Sequence, residues 1–481
     1  MKRILVVTTG TRDVQLTVPD EYYRKNGFFE YVLPGGNKRL VGVMPHADHP
    51  GTLLLASMRS GCTQLTEDYS IIKGHILLPL IETAISFVLR ESGNIDLLIF
   101  IVTNQANDNV PARFKERDTV NLPELAEKYL SDKFPGRISE FDTYEVYERI
   151  TFIDLWYERF EDEFRKKNLI EESQDEAEVW FMPQGGIDQV NQALTLRFIE
   201  HFPLIKLIQV AENCEPAILE FPRKFLHNLT RAKAREMARY FRFSQVRSLN
   251  LSGDPEINSL ADLGDTLMRL DHSSLVSMSF KEPWLSLRKR NSVVKRIFET
   301  WVEKPDPQKM NMWLYLTVKA NEYCSNTEEL VWRLFALYEQ ILKPYVSKKI
   351  NWGNTTEDFP FTSFNSCIER NRDLLDYLRQ KKYNQKTLVP GAKIFGFILK
   401  FYNSCLPGEV ESILKVLGSV QDKRNMLVHQ GRGISKIILN AIFSEHQTNI
   451  EDFMTGYLDP YFGVKDFGLI GDLRSEIISR L

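Results

Sequence analysis

The chain begins MKRILVVTTGTRD (residues 1–13), and the change at Thr8 from aliphatic to polar residues decides how the first half is read. Ile4 to Val7 form an unbroken apolar run, too short for a secretory leader and bounded by polar residues on both sides. Such a run reads as a strand buried on both faces that empties into a loop. Three later runs share this texture: DLLIFIVT (96–103), EVWFMP (178–183) and LIKLIQVA (204–211). Between them apolar residues recur at helical spacing, first at Ile71, Leu78, Ile81, Ile85 and Val88, then at Val190, Leu194 and Phe198. Strands alternating with helices predict an α/β domain, a parallel sheet covered by helices. Residues 19–70 interrupt the pattern as an insertion, and Pro34-Gly35-Gly36 within it suits a hairpin or flap.

The remaining composition narrows the class. A length of 481 residues suggests two or three domains. With 43% hydrophobic and 26% charged residues the chain is expected to fold. A formal net charge of -3 means that any nucleic-acid surface must be local. Cys62, Cys214, Cys324, Cys367 and Cys405 are scattered and form no C-x-x-C pair, which argues against a disulfide framework and fits a reducing cytoplasm. The apolar run 76–81 stops at Glu82, far short of a membrane span.

Beyond Phe221-Pro222 the pattern becomes helical. Residues 223–243 carry Arg223, Lys224, Arg231, Lys233, Arg235, Arg239 and Arg242, and Ser252-Gly253-Asp254-Pro255 reads as a turn. From Pro283 onward helices are expected almost throughout, with an apolar stripe at Leu330, Leu334, Leu337 and Ile341.

In an open parallel sheet ligands bind beyond the carboxyl ends of the strands. Three of those ends are alike here: Thr8-Thr9-Gly10-Thr11-Arg12, then Thr103-Asn104-Gln105, then Gln184-Gly185-Gly186 before a helix containing Asn191. Glycines and threonines also make ordinary strand-to-helix turns. Three donor-rich loops at one edge favour a pocket, and Arg12 adds a charge suited to phosphate. No G-x-x-x-x-G-K-[ST] is present, and no G-x-G-x-x-G follows a strand, which speaks against a P-loop and a dinucleotide site. MPHADHPG (44–51) groups His46, Asp48 and His49, possible metal ligands that suit a solvated turn better. No metal is expected.

The second half holds one chemical signal, KRNMLVHQGRG (423–433). Val410, Ile413, Leu414, Leu417, Val420 and Leu427 define an apolar arc of a helix, and Arg424 falls within that arc. A guanidinium there needs an anion or a partner. Asn425 and His429 are four apart and share a side, and Gly431 suits a C-cap that leaves His429 in the last turn. The same pattern also fits a packed helix whose Arg is paired and whose His caps the end.

Two resemblances follow from these residues. VTTGTRD and MPQGGIDQVNQAL (182–194) resemble the loops of CARF domains, the Rossmann-like sensors of CRISPR-associated ancillary proteins. This likeness implies a cyclic oligoadenylate cradled across a dimer axis by Thr9, Gly10, Thr11, Arg12, Gln184, Gly185, Gly186 and Asn191. Loop position adds Asn104 and Gln105. RNxxxH resembles the motif of HEPN ribonucleases, which implies catalytic roles for Arg424, Asn425 and His429.

A CARF-like half before a HEPN-like half is the arrangement of CRISPR type III ancillary ribonucleases. It implies a Rossmann-like α/β (CARF) domain at 1–222, a helical linker at 223–282 and an all-α HEPN domain at 283–481. It further implies a cytoplasmic homodimer of antiviral defence that requires no cofactor. A cyclic oligoadenylate would be its allosteric activator. Single-stranded RNA would be cut without metal to 2′,3′-cyclic phosphate and 5′-hydroxyl ends. Arg288, Lys289, Arg290, Lys295, Arg296 and Arg432 could steer that RNA. The loops leave open whether the N-terminal domain also degrades its activator. The alternative is a ligand-responsive binding or dimerisation protein whose helical half is not catalytic.

Overall fold

The computed structural model describes residues 2–17, 30–32, 39–41, 43–47, 49–107, 109–148, 150–166, 177–202, 204–210, 215–249, 251, 254–304, 306–353, 361–383, 390–429 and 434–481, without the side chains of 30–32, 39–41, 361–362, 424 and 426–429. Pro34-Gly35-Gly36, Asp48, Cys214, Ser252-Gly253, Gly431 and Arg432 lie outside the described residues, as do the side chains of Arg424, Leu427 and His429. The chain divides into two compact units, Met1–Asn228 and Leu229–Leu481. The division falls inside the helix Phe221–Arg239.

The strands, in chain order, are β1 (Lys2–Thr8), β2 (Gln15–Thr17), β3 (Glu30–Val32), β4 (Arg39–Val41), β5 (Val43–Pro45), β6 (Thr52–Leu55), β7 (Ile76–Leu77), β8 (Ile95–Thr103), β9 (Ile138–Val146), β10 (Ala177–Met182), β11 (Lys206–Gln209) and β12 (Ala217–Leu219). Among the described residues, six form the main sheet in the order β12-β11-β10-β1-β8-β9. All neighbours run parallel except the edge pair β11–β12. From β1 the chain moves outward through β8 to β9, then returns to the other side of β1 with β10. The strand order therefore reverses between β1 and β10, which places the crevice of an open α/β sheet beyond their carboxyl ends.

Alternation along β1 builds the layers. Leu5 and Val7 enter one core with the helices Met58–Glu67, Pro79–Ser92 and Leu122–Lys133, while Ile4 and Val6 enter another with Ile153–Lys166 and Asp188–His201. Each residue turns 180° from its neighbour, so an unbroken apolar strand supplies both faces of a three-layer domain.

Two expectations change here. Ile71 does not share the helix of Ile81, Ile85 and Val88. It lies exposed in the short helix Tyr69–Ile72, and β7 intervenes. Pro79 has no amide hydrogen and so begins the next helix at its first position. Glu82, which ended the apolar run in the sequence, accepts the Leu78 N–H at 2.8 Å and the Tyr129 hydroxyl at 2.5 Å, capping that helix and tying it to Leu122–Lys133.

The region 19–70 is also more than a flap. Its β5 and β6 join the flanking β2 and β7 in an antiparallel sheet of order β5-β6-β2-β7, and β3 and β4 pair antiparallel. The helix Met58–Glu67 buries Met58, Cys62 and Leu65 in the main core.

The second unit is all-α among its described residues. One core runs from Ala234 to Leu481, and residues between 229 and 282, read from sequence as a linker, contribute to it through Phe243, Leu260 and Leu263. Leu330, Leu334, Leu337 and Ile341 are buried along the helix Thr327–Ile350, which packs on Pro307–Tyr323, Ala392–Phe401 and Gly408–His429. Within this core Arg333 donates to Thr317 Oγ1 at 2.8 Å and the Met268 carbonyl at 2.6 Å, and pairs with Glu329 at 2.6 Å. No described helix is long and apolar enough to cross a membrane.

Candidate functional site

At the reversal point two loops cross backbone to backbone. A Cβ on Gly10 would stand 2.7 Å from Gly186 N, and one on Gly185 would stand 2.0 Å from Thr8 O. Gly186 has φ +80°, a conformation that disfavours any side chain. The glycines are thus required for the close approach of two loops, whatever those loops bind.

The crossing separates two cavities. One, of about 420 Å³, is bounded by Gly10, Thr11 and Gly186 with Gln105, Phe114, Ile150 and Ile187, and Arg117 stands at its wall. The other, of about 380 Å³, is bounded by the same crossing with Arg12, Asp13, Gln15, Leu80 and Gln184. Their chemistry differs. The first offers an aromatic ring and two isoleucines, the second a cation, a carboxyl and amides. Arg12 is exposed and has no ion-pair partner among the described residues. The helix Asp188–His201 carries Asp188 in its first turn, so its amino terminus already faces an acid, and Arg12 is the stronger attraction for an anion.

Of the residues singled out in the sequence, Thr9, Gly10, Thr11, Arg12, Gln105, Gln184, Gly185 and Gly186 line one cavity or both. Asn104 and Asn191 line neither. Asn104 is held by its neighbours: its Nδ2 donates to Glu145 at 2.8 Å, and its Oδ1 accepts from Arg59 Nη2 at 2.8 Å. Asn191 Nδ2 donates to the Gly185 carbonyl at 2.8 Å, which fixes the glycine loop from behind. The Thr9 hydroxyl is also engaged internally, donating to the Ile101 carbonyl at 2.9 Å beside Thr119 Oγ1 at 2.7 Å.

Several supporting residues escaped the sequence reading. Asp118 is fully buried and accepts Gln105 N at 2.7 Å, Gln105 Nε2 at 2.9 Å and Arg59 Nη2 at 2.7 Å. A buried carboxylate needs such compensation. It anchors Gln105 and the segment that presents Phe114. Arg59 and Asp118 are 59 positions apart, and no local pattern links them. Asp13 stood inside the opening motif without a role. Its carboxyl is buried and receives the Gly10 N–H at 2.7 Å. Burial pushes its pKa up to about 7, against the lowering effect of that hydrogen bond.

The second candidate region is the helix Gly408–His429, whose backbone carries Arg424, Asn425 and His429. Val410, Ile413, Leu414, Val416, Leu417 and Val420 are buried, and Gln421 joins them. Residue 424 continues that row by backbone register, one turn beyond Val420. Asn425 is half-buried. Ser419, on the same helix, meets His446 Nε2 at 2.8 Å, joining it to the segment after the helix Lys436–Glu445.

The basic residues of the second unit are partly engaged. Arg288 pairs with Glu303, Lys295 with Glu299 at 3.7 Å and Arg296 with Asp472 at 3.1 Å. Arg231 donates to the carbonyls of Arg480 and Leu481. Lys289 and Arg290 have no ion pair among the described residues. No cluster of three potential metal ligands occurs among the described residues. The rings of His46 and His49 lie tilted by 53° with centroids 4.5 Å apart.

No family model matches the sequence, and no curated protein matches it. Among solved structures the chain is similar to Enterococcus italicus Csm6 bound to cyclic hexa-2′-fluoro-hexa-dAMP, with a TM-score of 0.51 and 11% identity. The similarity covers 83% of this chain and 95% of that one. It is a similarity of fold: an α/β domain with a parallel sheet followed by an all-α domain, the architecture expected from the CARF and HEPN resemblances.

Proposed function

We propose that the chain is a cyclic-oligoadenylate-activated endoribonuclease of CRISPR type III defence, acting in the cytoplasm as a homodimer. The observation that carries this reading is the pair of unlike cavities on either side of the Gly10–Gly186 crossing. A nucleotide ring presents two unlike parts, anionic phosphodiesters and flat bases. Arg12 and the amide of Gln184 suit the first, and Phe114 with Ile150 and Ile187 suits the second. The similar fold of a protein solved with a cyclic hexanucleotide supports the same assignment.

The helix Gly408–His429 would carry the reaction. The substrate supplies its own nucleophile: the RNA 2′-oxygen attacks the adjacent phosphorus, the bond to the 5′-oxygen breaks, and a 2′,3′-cyclic phosphate remains. His429 would manage the proton lost from the 2′-hydroxyl or gained by the 5′-oxygen. Arg424 would hold the charge on the phosphoryl oxygens, and Asn425 would orient either partner. These roles require no metal. Activation requires that the ring bind the cutting-competent arrangement more tightly than the idle one.

The test is cleavage of labelled single-stranded RNA by purified protein in EDTA, with and without cyclic oligoadenylates of several sizes. Ring-dependent cutting that disappears in Arg424→Ala and His429→Ala is expected. Ring binding without cleavage under any condition would instead favour a ligand-responsive binding protein.

A further inference from the structure

Asp13 is the one charged or titratable group besides Arg12 among the described residues lining the polar cavity; Gln15, Leu80, Gln184 and Val210 complete its walls with backbone of the two loops. Its placement is unusual for a carboxyl. The residue is 1% exposed, and Oδ2 takes the Gly10 N–H at 2.7 Å. Oδ1 has no hydrogen-bond partner among the described residues. An anion entering this cavity would meet a buried carboxylate that Arg12, exposed at the rim, does not neutralise by direct pairing. It would also find the Gly10 amide already engaged. Two negative groups in one cavity of low polarity repel strongly, and one proton removes the conflict.

We propose that Asp13 makes this a proton-coupled anion subsite. A phosphodiester oxygen is bound beside Arg12 together with a proton on Asp13, whose carboxyl then donates from Oδ1 to the ligand while Oδ2 keeps the Gly10 amide. This rests on the reading that the cavity takes the phosphodiesters of a cyclic oligoadenylate. The proton comes from solvent, and no covalent bond to the ligand forms. Since the free carboxyl titrates at about 7, the proton is available at neutral pH and scarce above it. Phosphodiesters do not titrate between pH 6 and 8.5, so the protein alone supplies any pH dependence in this window. Asp13 acts here as a ligand-binding residue, and its signature is a pH profile.

The experiment is titration calorimetry of the full chain with cyclic tetraadenylate and cyclic hexaadenylate, in two buffers of different ionisation enthalpy. If only the protonated form binds, affinity falls about 30-fold between pH 6 and pH 8.5. Uptake approaches one proton per protomer at the alkaline end. Asp13→Asn, which keeps an acceptor for Gly10, should lose most of that slope. Binding by the natural chain without proton uptake, or an equal slope in Asp13→Asn, overturns the proposal while leaving the parent reading intact. Should Asp13→Asn not fold, the two-buffer measurement on the natural chain decides alone. Failure of both rings to bind at every pH removes the parent reading and this one together.

Discussion

Gly185→Ala should damage the first unit severely, and the size of the effect follows from one distance. The added Cβ would lie 2.0 Å from Thr8 O, 2.7 Å from Thr8 C and 2.9 Å from Asp13 Oδ2. Two of these atoms are backbone at the end of β1, so no side-chain rotation relieves the contact. The loops after β1 and β10 must part by about 1 Å, and forced overpacking of this kind costs about 3 kcal/mol. That would lower the protection of amides in β1 and β10 against exchange by about two decades. In a unit of this size it would lower the thermal midpoint by about 6–12 °C. Hydrogen exchange read by mass spectrometry on peptides covering β1 and β10 measures the first quantity, and calorimetry the second. Gly74→Ala is the control, because its Cβ meets nothing within 4 Å. Equal protection in the two variants would refute the claim that the loops cross at contact distance.

Three further outcomes are expected. Arg59→Ala leaves Asp118 with only Gln105 among the described residues and should destabilise the first unit by about 3 kcal/mol while loosening Gln105, measured by denaturant unfolding and by ring affinity. Phe114→Ala should weaken binding of a cyclic oligoadenylate by about tenfold in calorimetry, with little change in stability because Phe114 is 39% exposed. The third concerns pH. The folded pKa of Asp13, about 7, lies above its ordinary 3.8, so between these values the folded state holds a proton that the unfolded state lacks. Stability therefore falls as pH rises through that window, and the melting temperature of Asp13→Asn relative to the natural chain should climb from pH 4 to pH 7, then level off.

The parallel sheet was legible because β1, β8, β10 and β11 are short apolar runs with polar ends, and burial on both faces demands that composition. β9 escaped because it lies at the edge and reads ISEFDTYEV, half polar and without a continuous core face. The antiparallel strands within and flanking region 19–70 escaped because each is only two to four residues long. Position at the strand ends sufficed to point to the loops. Their internal wiring did not follow, since Thr9 with Thr119, Arg59 with Asp118 and Gly10 with Gly186 meet only after folding. The bracing contacts of Asn104 and Asn191 were not legible for the same reason: an amide that braces a loop and one that faces a cavity have identical local sequence. The apolar phase of the helix Gly408–His429 was readable because helical periodicity is local, and Val410 to Val420 are buried as that phase requires.

The most direct measurement of the account is the cleavage rate of a fluorescent single-stranded RNA in EDTA, with cyclic tetra- and hexaadenylate added in turn to the natural chain and to His429→Ala. Acceleration by one ring in the natural chain, absent from the variant and yielding 2′,3′-cyclic phosphate ends, is the predicted result. Equal cutting by both proteins, or none from the natural chain while a ring is bound, would contradict it.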